Sequence, residues 1–384
     1  MQAVRQDTDF SQPQSARTIA TISSRWITSA SHVSHGRARA LAVAFVAVLA
    51  FAATVSVARS APAVSTNLRL ALRTTIPQQD GHHARVEVYA SPDARQHPHP
   101  AFLTVGGPVY CGQILSLARY MGASLLCADY WQNKFTAPGL RSQRFMDWGD
   151  PQYEAAVAKL PERARHAGIL ISKLIVVGVS YTGYAAAELV ATHPELRPAA
   201  LIIVDSYLDL PARFEATKPG LITRKEMATV LGGTLAQKPA AYKARSPSHH
   251  LDGLATAIRG GMRFVDVWSV NPLERERYVG ATCSRTANAE WLSKLATHLR
   301  RPVDGYVTQL QHAEALWHHY PSLLSLAGLK PSTGDTLAFR RFQFRPGAPP
   351  SAASFCADQI HRSRTGVLYG QLGKQARPTP MHQN

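Results

Sequence analysis

Acidic residues are scarce in this chain. Its 384 residues include 25 Asp and Glu against 42 Lys and Arg, a formal net charge of +17. Such an excess suits polyanions, with nucleic acid and anionic membrane surfaces among them. Yet there is no run of five or six basic residues and no zinc-finger spacing. The scattered arginines are read as a surface property that bears on solubility, and no nucleic-acid partner is expected. Cysteine is sparse too. Cys111, Cys127, Cys283 and Cys356 match no zinc-ligand pattern, and no spacing along the chain implies a metal or an organic cofactor. Two disulfides and buried free thiols both remain open. Internal repeats are absent. Charged residues make up 17% and hydrophobic ones 45%, which excludes disorder of the chain as a whole and supplies a sizeable core.

Long apolar runs are lacking, with one exception. Residues 1–36 are rich in Ser, Thr, Ala and Gln and show no period. Arg37 and Arg39 then precede an apolar run from Ala40 to Ala53, continued to Ala58, with small residues from Ala58 to Ala63. Positive residues, an apolar stretch and small residues form the tripartite pattern of a secretory signal. The run is borderline for a membrane span, which needs ~20 apolar residues, so an uncleaved anchor is the alternative. Residues 1–63 are expected to be an extension that exports the chain, leaving residues 64–384, secreted or held in the cell envelope, as the working domain.

From about residue 68 short β-branched runs alternate with helical stretches. Ala84–Tyr89, Ala101–Val105, Ser124–Ala128, Lys173–Val177, Ala200–Val204, Arg263–Val270 and Val303–Leu310 read as strands. Gln113–Met121, Glu154–Ala167, Tyr184–Thr192 and Asn288–Leu299 read as helices. This rhythm predicts a mostly parallel sheet covered on both faces. It breaks between about residues 207 and 258, where Pro211, Pro219, Pro239 and Pro247 punctuate short helical pieces, as an inserted helical cap would. After Pro331 the text is irregular.

The strongest motif lies at 173–188. An apolar strand runs into Gly178-Val179-Ser180-Tyr181-Thr182-Gly183, and a helix follows at once. This resembles the nucleophile elbow of the α/β-hydrolases, in which a serine sits at the apex of a sharp strand-to-helix turn. The usual second glycine, two places after the serine, is here Thr182, with Gly183 one place further on. Val105-Gly106-Gly107-Pro108 closes an earlier strand and resembles the His-Gly-Gly-Pro stretch of the prolyl aminopeptidase branch, with Val105 in place of the histidine.

The resemblance implies an α/β-hydrolase fold with a helical cap, and acyl transfer by Ser180. The oxyanion donors would be the N–H groups of Gly107 and Tyr181, since Pro108 has none to give. His312, following the strand at 303–310, fits the general base, with His361 as the contender. The acid is the weakest part of the pattern. Asn271 occupies the usual slot and carries no charge, which leaves Asp205, directly after Ala200–Val204, and Glu274. Asp205 is the preferred choice. The fold also implies a Cys111–Cys127 disulfide between neighbouring strand ends, leaving Cys283 to pair with Cys356. Tyr110, Tyr130, Trp131 and Tyr181 fall on loops expected to ring the site, suiting an apolar pocket. The expected substrate is a small ester or peptide, with esterase- or lipase-like hydrolysis first and an exopeptidase activity second. A catalytically silent fold that binds a ligand or partner is the reading from another class.

Overall fold

The computed structural model describes residues 67–77, 83–105, 108–129, 148–217, 219–220, 222–269, 279–308, 310, 312–329 and 339–347. The amino-terminal extension, Gly107, Tyr130, Trp131, Asn271, Glu274, Cys356 and His361 lie outside these residues, as do the side chains of Tyr110 and Cys283. By its internal contacts the chain divides into Met1–Pro62 and Ala63–Asn384, and every described residue belongs to the second unit.

Nine strands make one sheet: β1 (Arg69–Pro77), β2 (His83–Ala90), β3 (His99–Val105), β4 (Ser124–Asp129), β5 (Ile171–Val179), β6 (Ala200–Val204), β7 (Arg263–Ser269), β8 (Val303–Thr308) and β9 (Phe339–Phe344). Their order is β1-β2-β4-β3-β5-β6-β7-β8-β9. The pairs from β4 through β8 are parallel. The two edges, β1 with β2 and β9 with β8, are antiparallel, as is β2 with β4. β6 is buried at all five positions, as a central parallel strand covered on both faces must be.

Side-chain alternation splits the core in two. Leu103, Val176, Leu201 and Ile203 point to one face, and Phe102, Ile175, Val177 and Ile202 to the other. The first face packs against α2 (Pro151–Ala158), α3 (Leu160–His166), α4 (Tyr181–Thr192), α8 (Leu251–Arg259) and α9 (Val279–Leu299). The second packs against α1 (Pro108–Met121), α10 (Glu314–Trp317) and α11 (Tyr320–Leu326). Each such aliphatic side chain, fully buried, contributes about 1.5–3 kcal/mol.

Several elements differ from the sequence reading, among them β1, α10 and α11, which it does not name. The helix expected over 154–167 is broken at Lys159, because Pro161 has no N–H to continue the ladder and instead starts a new helix in its first turn. The text after Pro331 yields an edge strand, β9, whose Arg341 reaches Asp304 of β8 at 2.7 Å.

Between β6 and β7 run α5 (Leu210–Ala216), α6 (Ile222–Val230), α7 (Pro239–Ala244) and then α8. Asp209 caps α5, its Oδ1 accepting from Ala212 N at 2.8 Å. Gly253 of α8 lies so close to α4 that a Cβ there would come within 1.8 Å of the Ala191 carbonyl oxygen. Any side chain at Gly253 would push the two helices apart. Cys111 in the first turn of α1 is bonded to Cys127 of β4, with Cα atoms 5.9 Å apart. Among the described residues no helix is long and apolar enough to cross a membrane.

Candidate active site

The parallel strands β5, β6 and β7 end side by side, and their main chains stay in step one residue beyond the sheet. Ser180 N donates to Val204 O at 2.8 Å, and Asp205 N donates to Val267 O at 2.8 Å. Ser180 and Asp205 therefore leave adjacent strand ends on the same edge of the sheet.

Both residues turn sharply. Ser180 has φ 54° and ψ −121°, and Asp205 has φ 52°. Positive φ in a residue with a Cβ costs on the order of 1–3 kcal/mol and persists only where the surroundings over-determine it. At Ser180 the surroundings are specific. A Cβ on Gly178 would fall 2.2 Å from Thr182 O, so a larger residue there would force the elbow open. A Cβ on Gly183 would meet that of Ser206 at 2.9 Å. Thr182, in the place where glycine is usual, is buried and closes the turn itself. Its Oγ1 accepts from Val179 N at 2.8 Å and donates to Val179 O at 2.9 Å. The departure from the pattern thus replaces clearance at one position with a side-chain clamp, while Gly183 provides clearance one residue later.

The Asp205 carboxylate is satisfied from two directions. Ser269, the last residue of β7, donates its N–H to Oδ1 and its hydroxyl to Oδ2, the latter at 2.8 Å. Ala313 N donates to Oδ2 at 2.7 Å. The same Oδ2 lies 3.8 Å from Nδ1 of His312, whose side chain is 24% exposed. A carboxylate aimed at Nδ1 favours the tautomer that leaves Nε2 free to accept a proton. The described residues thus bring His312 to Asp205, and Asp205 to the strand beside Ser180. Asn271 and Glu274, the other candidates for the acid, and Gly107, the candidate oxyanion donor, lie outside the described residues.

Tyr181 is the first residue of α4, where N–H groups have no acceptor within the helix. Its side chain does not line an open pocket. The hydroxyl accepts from Trp148 N at 2.9 Å, the ring stacks edge-on with Trp148 at 5.0 Å, and only 6% of the residue is exposed. The aromatic set expected around the site loses this member to packing. Sequence reading also missed Ser269, which no motif marks. Its only signal is its position as the last residue of the strand beside the one that ends at Asp205.

Two further acids lie deeper. Asp266 on β7 is fully buried, and this desolvation pushes its carboxyl well above the usual range, with the neighbouring Asp205 adding to the push. Burial likewise raises Glu188 of α4 to about 8, against the pull of Arg245. His250 Nε2 is 3.5 Å from Glu188 Oε1 but closer, 2.8 Å, to Ala244 O. Among the described residues no cluster of His, Cys, Asp or Glu could hold a metal ion.

The strand order and the sharp strand-to-helix turn at the end of β5 are those of the α/β-hydrolase fold. No protein-family model matches the sequence, and no curated protein does. Solved structures with similarity include a Mycobacterium tuberculosis puromycin-hydrolyzing peptidase, at 16% identity and TM-score 0.48 over 75% of this chain and 42% of that one. An acylaminoacyl peptidase in complex with a chloromethyl ketone shares 13% identity, TM-score 0.48, over 70% of this chain and 42% of its own. Carboxyl esterase 2 from Tuber melanosporum shares 17% identity, TM-score 0.44, over 74% of this chain and 98% of its own. The chain spans about two fifths of the length of the two peptidases.

Proposed function

We propose that the protein is a serine hydrolase that cleaves a small ester or amide through an acyl-enzyme, with Ser180 as nucleophile, His312 as general base and Asp205 as the orienting acid. The observation that carries this reading is the strained Ser180 turn beside a strand end whose carboxylate faces the His312 imidazole at 3.8 Å. In the first half-reaction Ser180 Oγ attacks the carbonyl carbon while His312 takes its proton. The proton then passes to the departing alcohol or amine as the carbon–heteroatom bond breaks. Water, activated by the same imidazole, releases the acid and restores the serine. Developing oxyanion charge is met by the Tyr181 N–H at the start of α4 and by Gly107 N–H after β3.

Esterase- or lipase-like chemistry is the first choice of substrate, and an exopeptidase activity the second, favoured by Gly106-Gly107-Pro108. Export through residues 1–63, with the chain secreted or retained in the envelope, completes the proposal. The test is hydrolysis of a panel of short and long acyl esters and aminoacyl amides by the parent and by Ser180→Ala. Turnover of at least one class, reduced on the order of 10⁴-fold or more in the variant, is expected. Equal turnover by parent and variant would overturn Ser180 as the nucleophile, and no turnover of any panel substrate by the parent would favour a silent, ligand-binding fold.

A further inference from the structure

The turn that carries Asp205 leaves the sheet for only a few residues before α5 begins, and its next residues are buried. Ser206 is 1% exposed, and Leu208 is fully buried. Their main-chain polar groups need partners inside the protein, because an unpaired buried group costs about 1–3 kcal/mol. One side chain supplies both. Asn288, fully buried on α9, donates from Nδ2 to Ser206 O at 2.8 Å and accepts at Oδ1 from Leu208 N at 3.2 Å. The two bonds bracket Tyr207 and grip the chain immediately after Asp205. The gripped segment also touches the elbow, since Ser206 is the residue that a Cβ on Gly183 would strike.

We propose that Asn288 is a positioning residue for the Asp205 turn: its amide holds Ser206 and Leu208 from α9 and so fixes where the Asp205 carboxylate meets His312. This deepens the serine-hydrolase reading above and rests on it. The amide must face the right way, because a flipped Asn288 would set its oxygen against Ser206 O and its NH₂ against Leu208 N. No residue of the turn's own sequence shows the device, since Asn288 is 83 positions beyond Asp205 and reaches it from another element.

The experiment follows the rate of labelling by a fluorophosphonate across pH in the full chain. It compares the parent with Asn288→Ala, Asn288→Asp and, as a control for lost packing, Leu292→Ala, a fully buried residue one turn further along α9. Asn288→Ala is expected to slow labelling roughly 10- to 100-fold, as small misplacements of reacting groups do. Its acid-side limb should move to lower pH, because an imidazole that loses its carboxylate neighbour is protonated less readily. Asn288→Asp keeps the size and the acceptor for Leu208 but loses the donor to Ser206, and it should behave in the same direction. Should the alanine variant fail to fold, the aspartate variant carries the same two readings. Leu292→Ala should melt at a lower temperature with its pH limb unmoved. A labelling rate and limb like the parent's in the Asn288 variants, with only a lowered melting temperature, would reduce Asn288 to a packing residue and overturn the proposal. A parent that does not label, or a Ser180→Ala variant that labels equally, would overturn the serine reading itself and this proposal with it.

Discussion

Asp205 and Glu188 are both carboxylates with little access to water, one just before the cap insertion and the other midway along α4, and the protein treats them in opposite ways. Asp205 receives Ser269 N–H and Ser269 Oγ–H from the end of β7 and Ala313 N–H from the start of α10. Glu188 has a neighbouring His250 whose Nε2 is nearer the Ala244 carbonyl, and Arg245 whose attraction does not outweigh burial. Burial alone does not make a buried acid functional. The number and aim of the donors around each acid separate the two: three meet Asp205, and burial dominates at Glu188.

The sharpest break of this comparison is at Asp205. Asp205→Asn keeps size and burial but removes the charge, and turnover should fall by about 10⁴-fold while the circular dichroism spectrum is unchanged. Glu274→Gln should stay near the parent. The reverse result would move the acid to Glu274. A smaller loss is expected from Ser269→Ala, which removes one donor to Asp205 Oδ2 and leaves the main-chain N–H in place. Losing one hydrogen bond to a charged group is worth about 1.5–3 kcal/mol, so kcat should drop roughly 10- to 100-fold with KM little changed. Unchanged kcat would mean that the three donors are redundant.

The other side of the comparison is tested by stability. The Glu188 carboxyl has its proton affinity raised from an ordinary 4.5 to about 8 in the folded chain. Between these pH values the folded state holds a proton that the unfolded state has released, so stability falls as pH rises through the window. Below about 4.5 no penalty exists, and above about 8 it is complete. Glu188→Gln should therefore stabilise the protein by on the order of 1–3 kcal/mol at pH 8, with the gain fading toward pH 4.5. Denaturation at the two pH values measures it. A gain equal at both would assign the effect to packing instead of ionisation.

These contrasts also mark what a sequence discloses. The elbow was legible because an apolar strand, a glycine-flanked serine and a helix follow one another without interruption, so local text determines local geometry. The Cys111–Cys127 bond was legible once the strand order was granted, because Cys111 follows β3 closely and Cys127 lies near the end of its neighbour β4. The place of Asp205 at a strand end could be read because it directly follows the apolar run Ala200–Val204. Its donors could not, since Ser269 and Ala313 come from 64 and 108 residues away, and two of the three bonds use main-chain N–H groups that carry no sequence signal. The role of Thr182 was hidden for a related reason. A missing glycine looks like a defect until the hydroxyl is seen to bond both polar groups of Val179. β9 was missed because Phe339, Phe342 and Phe344 are interleaved with arginines that face solvent and Asp304.

The measurement that bears most directly on the account is fluorophosphonate labelling of the native protein followed by peptide mapping. One adduct is expected, on the Ser180 hydroxyl within the peptide that spans β5 and α4, lost on prior denaturation. The absence of an adduct, or its appearance on another serine while Ser180 stays unmodified, would contradict it.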